Sequence, residues 1–522
     1  MVTSAPHQQV ADPGAHRTPP PPAGQAGEAG DVADVAAAVT ALAARLTERL
    51  GAGPVITDRQ RLRTYECDGL SHLRVIPAIV VLATDAAAVA TTVSECARVH
   101  VPFVARGSGT GLSGGALPHA DGVLIVLSQL RAVVEIDPLS QRAVLDPGVI
   151  NLDISKAAAS SGYQFAPDPS SQQVCSIGGN VAENSGGAHC LKYGFTTNHV
   201  TGLDIVTSDG ERVSIGGGKT LDAPGYDLLG AFVGSEGTLG VVTRVTVRLI
   251  PIPDAVHTVL VEFDSTDDAG AATSAIIGAG IIPAAIEMMD ALAIEAAEAA
   301  VGCGYPPGAG AVLVIELDGP AAEVDTEAAA VDALCRQHGA GEIRVAGNAA
   351  ERALIWRGRK SAFAAVGRIS PDYIVQDGVI PRTALSEVLG EIAALAERSG
   401  IRCANVFHAG DGNLHPLVLF DDRVAGEGDA AEKLSGAILD ICIDHGGSIT
   451  GEHGVGVDKA QHMPRMFNED DLATMQLLQG AFDPENLCNP GKIFPTPRLC
   501  GEVPGRNRGA HPLTEAGLAD LF

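Results

Sequence analysis

The chain is poor in basic residues. Lysine and arginine together number 35 against 63 aspartate and glutamate residues, which gives a formal net charge of -28 at pH 7. Proteins that bind nucleic acid need a dense lysine and arginine surface to contact phosphates, so this deficit argues against a nucleic-acid partner. Hydrophobic residues still make up 46% of the 522 residues, which is typical of a folded globular protein with two or more domains.

Cysteine pairs and long apolar runs are also missing. The ten cysteines are scattered without a CxxC pair, so the sequence indicates no iron–sulfur cluster, structural zinc site or disulfide framework. The longest uncharged stretch, residues 269–286, contains glycines and a proline, and it predicts a buried helix followed by a turn. Residues 1–30 are rich in proline, alanine and glycine and lack the apolar core of a signal peptide. We therefore expect a cytoplasmic protein with a flexible N-terminal tail and no transmembrane segment.

The pattern of apolar residues changes along the chain. Residues 76–106 predict a strand, a helix and a strand, and short β-rich runs continue to residue 253. Residues 254–425 mix strands with helices, and residues 426–497 are rich in helix before a final loop. These changes predict an α+β protein with a domain boundary at residue 253.

A glycine-dense segment follows the second of these strands. Gly109, Gly111 and Gly114 form a GxGxxG pattern, which is typical of a dinucleotide-binding Rossmann unit. That unit needs a helix long enough to cross over to a parallel strand, but Pro118 follows within four residues and the next strand-like run starts at Gly122. The segment therefore predicts either a loop whose backbone amides bind an anion such as pyrophosphate or a merely flexible linker.

Two further glycine clusters favour the anion-binding interpretation. They occupy residues 176–187 and residues 234–240, and the second precedes a predicted strand. Glycine lets a backbone approach a ligand closely because it has no Cβ. Three such loops in one part of the chain indicate a single extended ligand with phosphates and a ring.

The segments PFVARGSGTGLSGG, SIGGNVAENSGGAHCLKYG and GAFVGSEGTLGVVT resemble the FAD-binding domain of the vanillyl-alcohol-oxidase/PCMH flavoprotein superfamily. The branch they resemble is that of the glycolate oxidase large subunits and the D-lactate and D-2-hydroxy-acid dehydrogenases, and the resemblance covers residues 40–497. It implies an α+β fold in which a two-subdomain PCMH-type FAD-binding domain is joined to an antiparallel-sheet cap domain and a helical C-terminal segment. The implied boundaries are 1–35 for a disordered tail, 36–253 for the FAD-binding domain, 254–425 for the substrate-binding cap, 426–497 for the helical segment returning to the FAD-binding domain, and 498–522 for a second tail.

The same resemblance implies the residues that contact FAD. They are Arg106, Gly107, Ser108, Gly109, Thr110, Gly111, Ser113, Gly114, Pro167, Asp168, Ser170, Ser176, Gly178, Gly179, Asn184, Gly187, Glu236, Gly237 and Val242. Several relatives attach FAD to a histidine just after the glycines of the first loop, where this chain has Thr110. His189 is an alternative attachment point, but the resembled branch carries its segment without a covalent flavin. The expected cofactor is therefore non-covalent FAD.

A second signature contains two histidines and an acid. His408 and His415 have an odd spacing, so a straight strand would turn them to opposite faces, but residues 410–413 predict a turn that brings both to one site. Glu452 and His453 lie between glycines in a GEHG sequence. Two imidazoles and a carboxylate suit a divalent Zn, Mn or Fe ion with open positions. The resemblance implies that His408, His415 and Glu452 bind the metal and that His453 is the catalytic base.

The substrate is expected to be a short 2-hydroxy acid. Arg359 resembles the arginine that binds the substrate carboxylate in the family, although a solvated basic helix face is the other interpretation. Relatives that act on long dicarboxylates have polar residues near Val375 and Leu417, which are apolar here. The run Pro497–Glu502 also resembles the glycolate oxidase type. The predicted reaction is therefore FAD-dependent oxidation of glycolate or D-lactate to the 2-oxo acid by hydride transfer.

Four alternatives remain open from the sequence. Within the fold they are a D-2-hydroxyglutarate-type dehydrogenase and a non-redox transferase resembling alkylglycerone-phosphate synthase. Outside it they are a flavin-free metallohydrolase that uses the two histidines and the acid, and a non-catalytic flavin-binding subunit. The sequence does not identify the electron acceptor, for which partner subunits including an iron–sulfur protein are one possibility.

Overall fold

The structure is a computed structural model that describes residues 31–218 and 225–495, with side chains from residue 35 onward. Its helices are α1 (Asp31–Leu50), α2 (Arg59–Leu62), α3 (Ala86–Arg98), α4 (Asn151–Ala158), α5 (Ile177–Glu183), α6 (Cys190–Tyr193), α7 (Leu228–Phe232), α8 (Thr266–Gly278), α9 (Ala291–Val301), α10 (Ala321–Gln337), α11 (Ala349–Ala365), α12 (Leu385–Ser399), α13 (Glu427–Asp444), α14 (Met463–Met466) and α15 (Glu469–Phe482). The run 497–502 and the tail 498–522 lie outside the described residues, as does most of the predicted tail 1–35, whose last five residues form the first turn of α1.

The strands form two sheets in the first half of the chain and a large third sheet in the second half, with one short pair beside them. They are β1 (Val55–Ile56), β2 (Ile79–Leu82), β3 (Phe103–Arg106), β4 (Val123–Val126), β5 (Val133–Asp137), β6 (Arg142–Leu145), β7 (Tyr163–Gln164), β8 (Val200–Val206), β9 (Arg212–Gly216), β10 (Val241–Arg248), β11 (Ile250–Pro251), β12 (Ala255–Phe263), β13 (Ala285–Asp290), β14 (Ala311–Gly319), β15 (Ile343–Val345), β16 (Asp372–Val375), β17 (Gly378–Val379), β18 (Arg402–His408), β19 (Asn413–Leu414) and β20 (Pro416–Phe420).

The first sheet has the strand order β1-β2-β4-β3. Its β2–α3–β3 unit confirms the predicted strand, helix and strand, and Asp85 caps α3 by accepting a hydrogen bond from the Ala88 amide. Strand β3 runs parallel to β4, yet the described loop between them, residues 107–122, contains no helix. The prediction that this glycine segment does not belong to a Rossmann unit is therefore confirmed. The glycine loop leaves the end of β3 directly, without a crossover helix.

The second sheet is antiparallel, with the order β5-β6-β10-β8-β9. Helices α4 and α5 cover one of its faces, where Ile154 and Val181 pack against strand residues such as Val245. The two glycine clusters at residues 176–187 and 234–240 border this sheet, while the first glycine loop leaves the first sheet. The predicted FAD-binding domain, residues 36–253, is called the cofactor-binding part below. Its described residues have the predicted two-subdomain architecture.

The third sheet, which runs from β15 through β12, β14, β13 and β18 to β19 and β17, is antiparallel. Both of its faces are covered by helices, so alternate residues of β14 enter different cores. Leu313 and Ile315 pack with α8 and α10, whereas Val312 and Val314 pack with α9 and α11. The predicted antiparallel cap is confirmed. The predicted buried helix in residues 269–286 is also confirmed as α8, which ends at Gly278 and is followed by a turn.

The C-terminal segment is helical and returns to the first sheet, as predicted. After α15, the Phe103 amide donates to the Leu487 carbonyl at 2.9 Å, and the Asn489 amide donates to the Phe103 carbonyl at 2.8 Å. The Asn489 side chain also donates to the Glu236 carbonyl at 2.6 Å. The end of the described chain therefore lies against the loops that surround the cofactor-binding part. Among the described residues, none of the helices has the length and apolar character needed to cross a membrane.

Candidate active site

A cavity of about 570 Å³ lies between the glycine loops and the cap. Its walls on one side come from all three glycine clusters, and on the other from Lys360, Phe363 and Tyr373 of the cap. Glu452 and His453 complete the lining where the two sides meet. The volume is within the range of cofactor and ligand sites. The cavity thus joins the two signatures found in the sequence.

The glycine loop after β3 needs its glycines for two different reasons. Gly109 has a φ of 69°, in the left-handed region, and a Cβ there would collide with the Arg106 guanidinium. At Gly111 the nearest atom to an added Cβ, Glu183 Oε1, is 3.8 Å away, so the space is free of protein. A side chain at Gly111 would therefore meet a bound ligand before it met the protein.

Most of the residues predicted to contact FAD line this cavity. They are Arg106, Gly107, Ser108, Gly109, Thr110, Gly111, Ser170, Ser176, Gly178, Gly179, Glu236, Gly237 and Val242. Six others are not among the lining residues, namely Ser113, Gly114, Pro167, Asp168, Asn184 and Gly187. Ser113 accepts hydrogen bonds from the Val457 and Asp458 amides, and Asp168 pairs with His189 at 2.9 Å. Ser113 and Asp168 thus contact other residues of the protein and are not part of the cavity lining.

The lining also includes residues that the sequence did not single out, among them Phe363 and Tyr373 of the cap. The loop of residues 69–72 carries only one glycine and no motif that would single it out. Glu183 was passed over, although an acid inside a glycine cluster next to Asn184 is a usable signal. Burial and the nearby charge of Glu236 raise the pKa of Glu183 well above its usual value. The Glu183 carboxyl group therefore holds its proton to a higher pH than a solvated glutamate does.

The turn after β18 brings the two predicted histidine ligands together. His408 ends β18 and pairs with Asn413 of β19, and the ring centroids of His408 and His415 lie 5.1 Å apart. Glu452 Oε1 is 3.5 Å from His408 Nε2 and 3.2 Å from His415 Nε2. The three donor atoms lie within 4.8 Å of one another, and all three side chains are buried. The arrangement has the donor types and the spacing of a divalent metal centre.

The outer nitrogen of each histidine is already engaged. His408 Nδ1 is 2.8 Å from Glu287 Oε1, and His415 Nδ1 is 3.2 Å from the Gln376 carbonyl. Such contacts fix the ring orientation of metal-binding histidines and leave Nε2 free for the metal. Both Nε2 atoms and Glu452 Oε2 are buried without a hydrogen-bond partner among the described residues. Buried polar atoms are rarely left unpaired, so this donor set fits a metal ion.

The charges of the cluster favour an ionised acid and a neutral base. Burial alone would raise the pKa of Glu452, but the ring nitrogens of His408 and His415 that lie close to its Oε1, and their charges, lower it well below the usual value. Burial lowers the pKa of His453 to about 4, although Asp377 opposes this shift. His453 stacks on His415, with ring centroids 5.0 Å apart, and its Nε2 lies 3.8 Å from Glu452 Oε1. A neutral imidazole thus stands beside the three donors and faces the cavity.

Arg359 is not on a solvated helix face. Its side chain is 2% exposed, and Nη2 lies 2.6 Å from Glu287 Oε2. Nε and Nη2 nevertheless have no hydrogen-bond partner of good geometry among the described residues. The guanidinium lies behind Phe363, 5.6 Å from its ring, and does not line the cavity, whereas Lys360 does. The Lys360 ammonium is 3.4 Å from Asp168 Oδ2, so α11 offers two cations at different depths.

Two predicted specificity positions lie at different depths. Val375 lines the cavity beside Tyr373 and Ile374. Leu417 pairs with Val375 across the β16–β20 ladder, but it is fully buried and does not reach the cavity. The cap side of the cavity is therefore largely apolar near these strands.

Comparisons with known proteins agree with this geometry. A family model described as "FAD binding domain" matches residues 77–216, and one described as "FAD linked oxidases, C-terminal domain" matches residues 252–493. Glycolate oxidase subunit GlcD of Escherichia coli strain K12 is 49% identical over 463 residues, covering 89% of this chain and 93% of that protein. GlcD of Bacillus subtilis strain 168 is 37% identical over 430 residues, covering 82% and 92%. The solved structure of 4-ethylphenol oxidase from Gulosibacter chungangensis has a TM-score of 0.74 at 18% identity, covering 88% and 97%.

The two-subdomain fold, the glycine-lined cavity and these sequence matches define an FAD-linked oxidoreductase. The likeness to the solved oxidase shows the fold alone, because the identity is low. Within that class, the chain belongs to the family of FAD-linked oxidases that includes glycolate oxidase subunit GlcD. The predicted flavoenzyme class is confirmed, and the flavin-free metallohydrolase is set aside.

Proposed function

We propose that the protein oxidises a short 2-hydroxy acid, with glycolate as the first candidate, to the corresponding 2-oxo acid. The observation that carries the proposal is that one cavity reaches from the glycine loops to Glu452 and His453 of the histidine cluster. The E. coli and B. subtilis relatives are glycolate oxidase subunits, which supports glycolate as the substrate.

Separate residues would hold the two groups that this reaction needs. Residues 107–111 would hold the FAD pyrophosphate on their backbone amides, and His408, His415 and Glu452 would hold a divalent ion such as Zn, Mn or Fe. When bound, FAD supplies a hydride acceptor, and the metal supplies a Lewis acid that lowers the pKa of a coordinated hydroxyl.

His453 is the base in this proposal. The substrate must release its hydroxyl proton as the alcohol becomes a carbonyl, and we assign that proton to Nε2 of His453. The ring lines the cavity, lies beside the candidate ligand Glu452 and is outside the donor group of His408, His415 and Glu452, although His453 also lies in a second donor group with Asp377 and His415. Proton transfer to a positioned side chain contributes about 10²–10⁴-fold to such reactions.

We assign the substrate carboxylate to Arg359. Its buried Nε has no hydrogen-bond partner among the described residues, although Nη2 pairs with Glu287, and a guanidinium can hold a carboxylate with two hydrogen bonds. Lys360 is the competing candidate because it lines the cavity, and each of the two cations has an acidic neighbour, Asp168 for Lys360 and Glu287 for Arg359.

Replacing Arg359 with alanine is expected to raise KM for glycolate by at least about 30-fold, because truncating a buried charged contact costs about 2–5 kcal/mol. Lys360→Ala is expected to have a smaller effect, and Arg357→Ala almost none, since Arg357 is exposed. Steady-state kinetics on the three variants makes the comparison, with metal content measured alongside because Glu287 contacts both Arg359 and His408. A larger increase in KM for Lys360→Ala than for Arg359→Ala would show that Lys360 binds the substrate carboxylate.

The apolar cap wall supports a short substrate. Phe363, Tyr373, Ile374 and Val375 line the cavity, and a second carboxylate placed among these side chains would lose its hydration without gaining a charged partner from them. A long dicarboxylate such as D-2-hydroxyglutarate is therefore disfavoured.

An anaerobic screen of 2-hydroxy acids against the purified holoenzyme tests the proposed function. Glycolate should bleach the flavin absorbance, D-lactate should do so if the pocket admits a methyl group, and D-2-hydroxyglutarate should do so much more slowly. A flavin that none of these acids reduces would contradict the proposal. Bleaching by D-2-hydroxyglutarate alone would instead favour the long-substrate dehydrogenase.

Acid precipitation of the holoenzyme is expected to release all of the flavin into the supernatant. His189 does not line the cavity, and its two ring nitrogens lie 2.9 Å from Asp168 and 3.2 Å from Glu316. Its ring also stacks on Trp356 at 5.6 Å, so it is not free to form a bond to the flavin. Flavin fluorescence in the supernatant and peptide masses in the pellet give the result. A flavin adduct on the His189 peptide would show a covalent link.

We further propose that the electrons leave to a partner subunit. Glycolate oxidase subunit GlcD is by name one subunit of an assembly, and this chain has no CxxC pair for a cluster of its own. An iron–sulfur protein is the partner class we expect. The test is whether a purified complex passes electrons from the substrate-reduced flavin to an iron–sulfur centre, followed by electron paramagnetic resonance; a complex whose centre stays oxidised would contradict it.

A further inference from the structure

The loop that carries Glu452 and His453 is held by two buried carboxylates from opposite sides. This GEHG loop comprises residues 450–456. Asp377, which lies between β16 and β17 in the cap, is 0% exposed. Glu236, which lies between α7 and β10 in the cofactor-binding part, is 4% exposed. Neither contact was visible in the sequence, and the resemblance had implied a flavin contact for Glu236.

Asp377 accepts hydrogen bonds from the first half of the loop. Its carboxylate accepts hydrogen bonds from the hydroxyl of Thr450 at 2.5 Å and from the amides of Gly451 at 3.0 Å, Glu452 at 3.2 Å and His453 at 2.9 Å. The Lys459 ammonium lies 3.4 Å away and balances the charge. Successive amides that point at one anion form a rigid concave turn, and hydrogen bonds to a charged acceptor are about twice as strong as neutral ones.

Glu236 accepts hydrogen bonds from the second half of the loop. Its two carboxylate oxygens accept from the Val455 amide at 2.6 Å and the Gly456 amide at 2.8 Å. Glu236 itself has a φ of 52°, an unfavourable value for a residue with a side chain, so the surrounding contacts must hold it there. Its carbonyl accepts from Asn489, which ties the same residue to the returning C-terminal segment.

The close approach of these groups requires glycine in the loop. Gly454 has a φ of 83°, and a Cβ there would collide with the Glu183 carboxylate and come within 2.9 Å of Glu236. A Cβ at Gly456 would collide with the Ser113 carbonyl. The loop therefore packs against Glu183, Glu236 and the Ser113 carbonyl without room for side chains at these two positions.

We propose that Asp377 and Glu236 are positioning residues that suspend the GEHG loop between the cap and the cofactor-binding part. Asp377 fixes Glu452 and His453 relative to His408 and His415 of the cap, whereas Glu236 fixes the same loop relative to the flavin side of the cavity. In this proposal the side chain of Glu236 positions the loop and does not contact the flavin, although it borders the cavity. This inference rests on the proposed function for the choice of substrate used to test it.

The test compares Glu236→Gln and Asp377→Asn with the parent holoenzyme. Both amides keep the shape of the acid but present an NH₂ group where the loop presents N–H donors, so the loop should shift. A displacement of about 1 Å at a reacting group can cost about 10²-fold in rate. We expect Glu236→Gln to retain full FAD and metal and to be reduced by glycolate about 10²-fold more slowly at saturating substrate, as measured by anaerobic stopped flow.

Asp377→Asn should show the same slow reduction and also bind metal more weakly. Its carboxylate holds the backbone of the candidate ligand Glu452, and loss of groups that orient a metal ligand lowers affinity about 10–100-fold. Titration of the metal-free protein with Zn²⁺ in competition with a chelator measures that loss. If no hydroxy acid reduces the parent flavin, the proposed function fails, yet this titration still tests Asp377 by itself.

Asp318→Asn is the matched control. Asp318 is also a buried carboxylate that joins the cap to the cofactor-binding part, through Lys192 and Tyr193, but it does not touch the GEHG loop. If the loss of any contact between the cap and the cofactor-binding part were enough to slow flavin reduction, Asp318→Asn would be slowed as much as the other two variants. We expect Asp318→Asn to react at the parent rate. Thr450→Val removes one hydrogen-bond donor to Asp377 and should slow flavin reduction about tenfold. Thr450→Ser keeps the hydroxyl and should react at the parent rate.

Two results would overturn the inference. If Glu236→Gln is purified without FAD, while its residual holoenzyme reacts at the parent rate, Glu236 is a flavin contact. If Asp377→Asn and Thr450→Val keep the parent rate and metal affinity, the cap does not position the loop through Asp377.

Discussion

The His453→Ala protein is expected to retain FAD and metal but to be reduced by glycolate about 10²–10⁴-fold more slowly than the parent. His453 lines the cavity and stacks on His415, and it is outside the donor group of His408, His415 and Glu452 to which we assign the metal. Its loss should therefore remove the proton acceptor without removing the metal or the cofactor. Single-turnover flavin bleaching in anaerobic stopped flow measures the rate, and the flavin spectrum and metal analysis establish that both groups are present.

His445→Ala is the histidine control for this measurement. His445 lies at the end of α13, where it contacts Glu391, and it does not line the cavity. We expect that variant to react at the parent rate. Deuterium at the substrate Cα should also slow flavin reduction in the parent, because that bond breaks in the proposed step. A His453→Ala protein that is reduced as fast as the parent would remove His453 from the mechanism.

The Gly111→Val protein is expected to fold but to be purified without FAD. A Cβ at Gly111 meets open space inside the cavity, with the nearest protein atom 3.8 Å away, so the valine would occupy the volume assigned to the pyrophosphate. We expect FAD affinity to fall at least about 100-fold, equivalent to about 2.7 kcal/mol. Flavin absorbance per protein after purification, followed by titration with FAD, measures the change.

Gly111→Val is a cleaner test than Gly109→Val. Gly109 has a positive φ, and its Cβ would collide with Arg106, so a substitution there strains the protein with or without a ligand. Gly53→Val is a suitable control because Gly53 has no positive φ and no atom within 4 Å of an added Cβ. Thermal unfolding should give similar midpoints for the metal-free, FAD-free forms of both variants. A Gly111→Val protein with full FAD occupancy would show that this loop does not bind the cofactor.

Local features of the fold could be predicted because they depend on neighbours in sequence. Pro118 and the short distance to β4 excluded a helix after the glycine loop, and the structure has none there. Glycine, aspartate and asparagine between His408 and His415 predicted the turn that brings the two rings together.

The contacts that orient the site depend on strand register and on chain segments far apart in sequence. Glu287 reaches His408 because β13 pairs with β18 in the register that places these two residues opposite each other. In the sequence Glu287 is one acid in an apolar strand, and Asp377 precedes a glycine as many turn residues do. Nothing local indicates which loop such a carboxylate will meet.

The depth of a side chain was equally hard to predict. Arg359 and Lys360 are neighbours in a basic segment, but the helix turns one into the core beside Glu287 and the other toward the cavity. The sequence identified the cations and their helix, whereas the packing of α11 against β13 and β18 decides which one is buried. The resemblance to the family implied a role for Arg359 without indicating its ion pair.

The central claim is that the flavin cavity and the histidine cluster form one active site for a 2-hydroxy acid. The most direct test is anaerobic reduction of the flavin by glycolate before chelation, after removal of the metal, and after the metal is restored. Because His408 and His415 converge on Glu452, which lines the cavity, we predict rapid bleaching, loss of bleaching with FAD still bound, and recovery when the ion returns. Flavin reduction by glycolate at an unchanged rate in the metal-free protein would contradict this account.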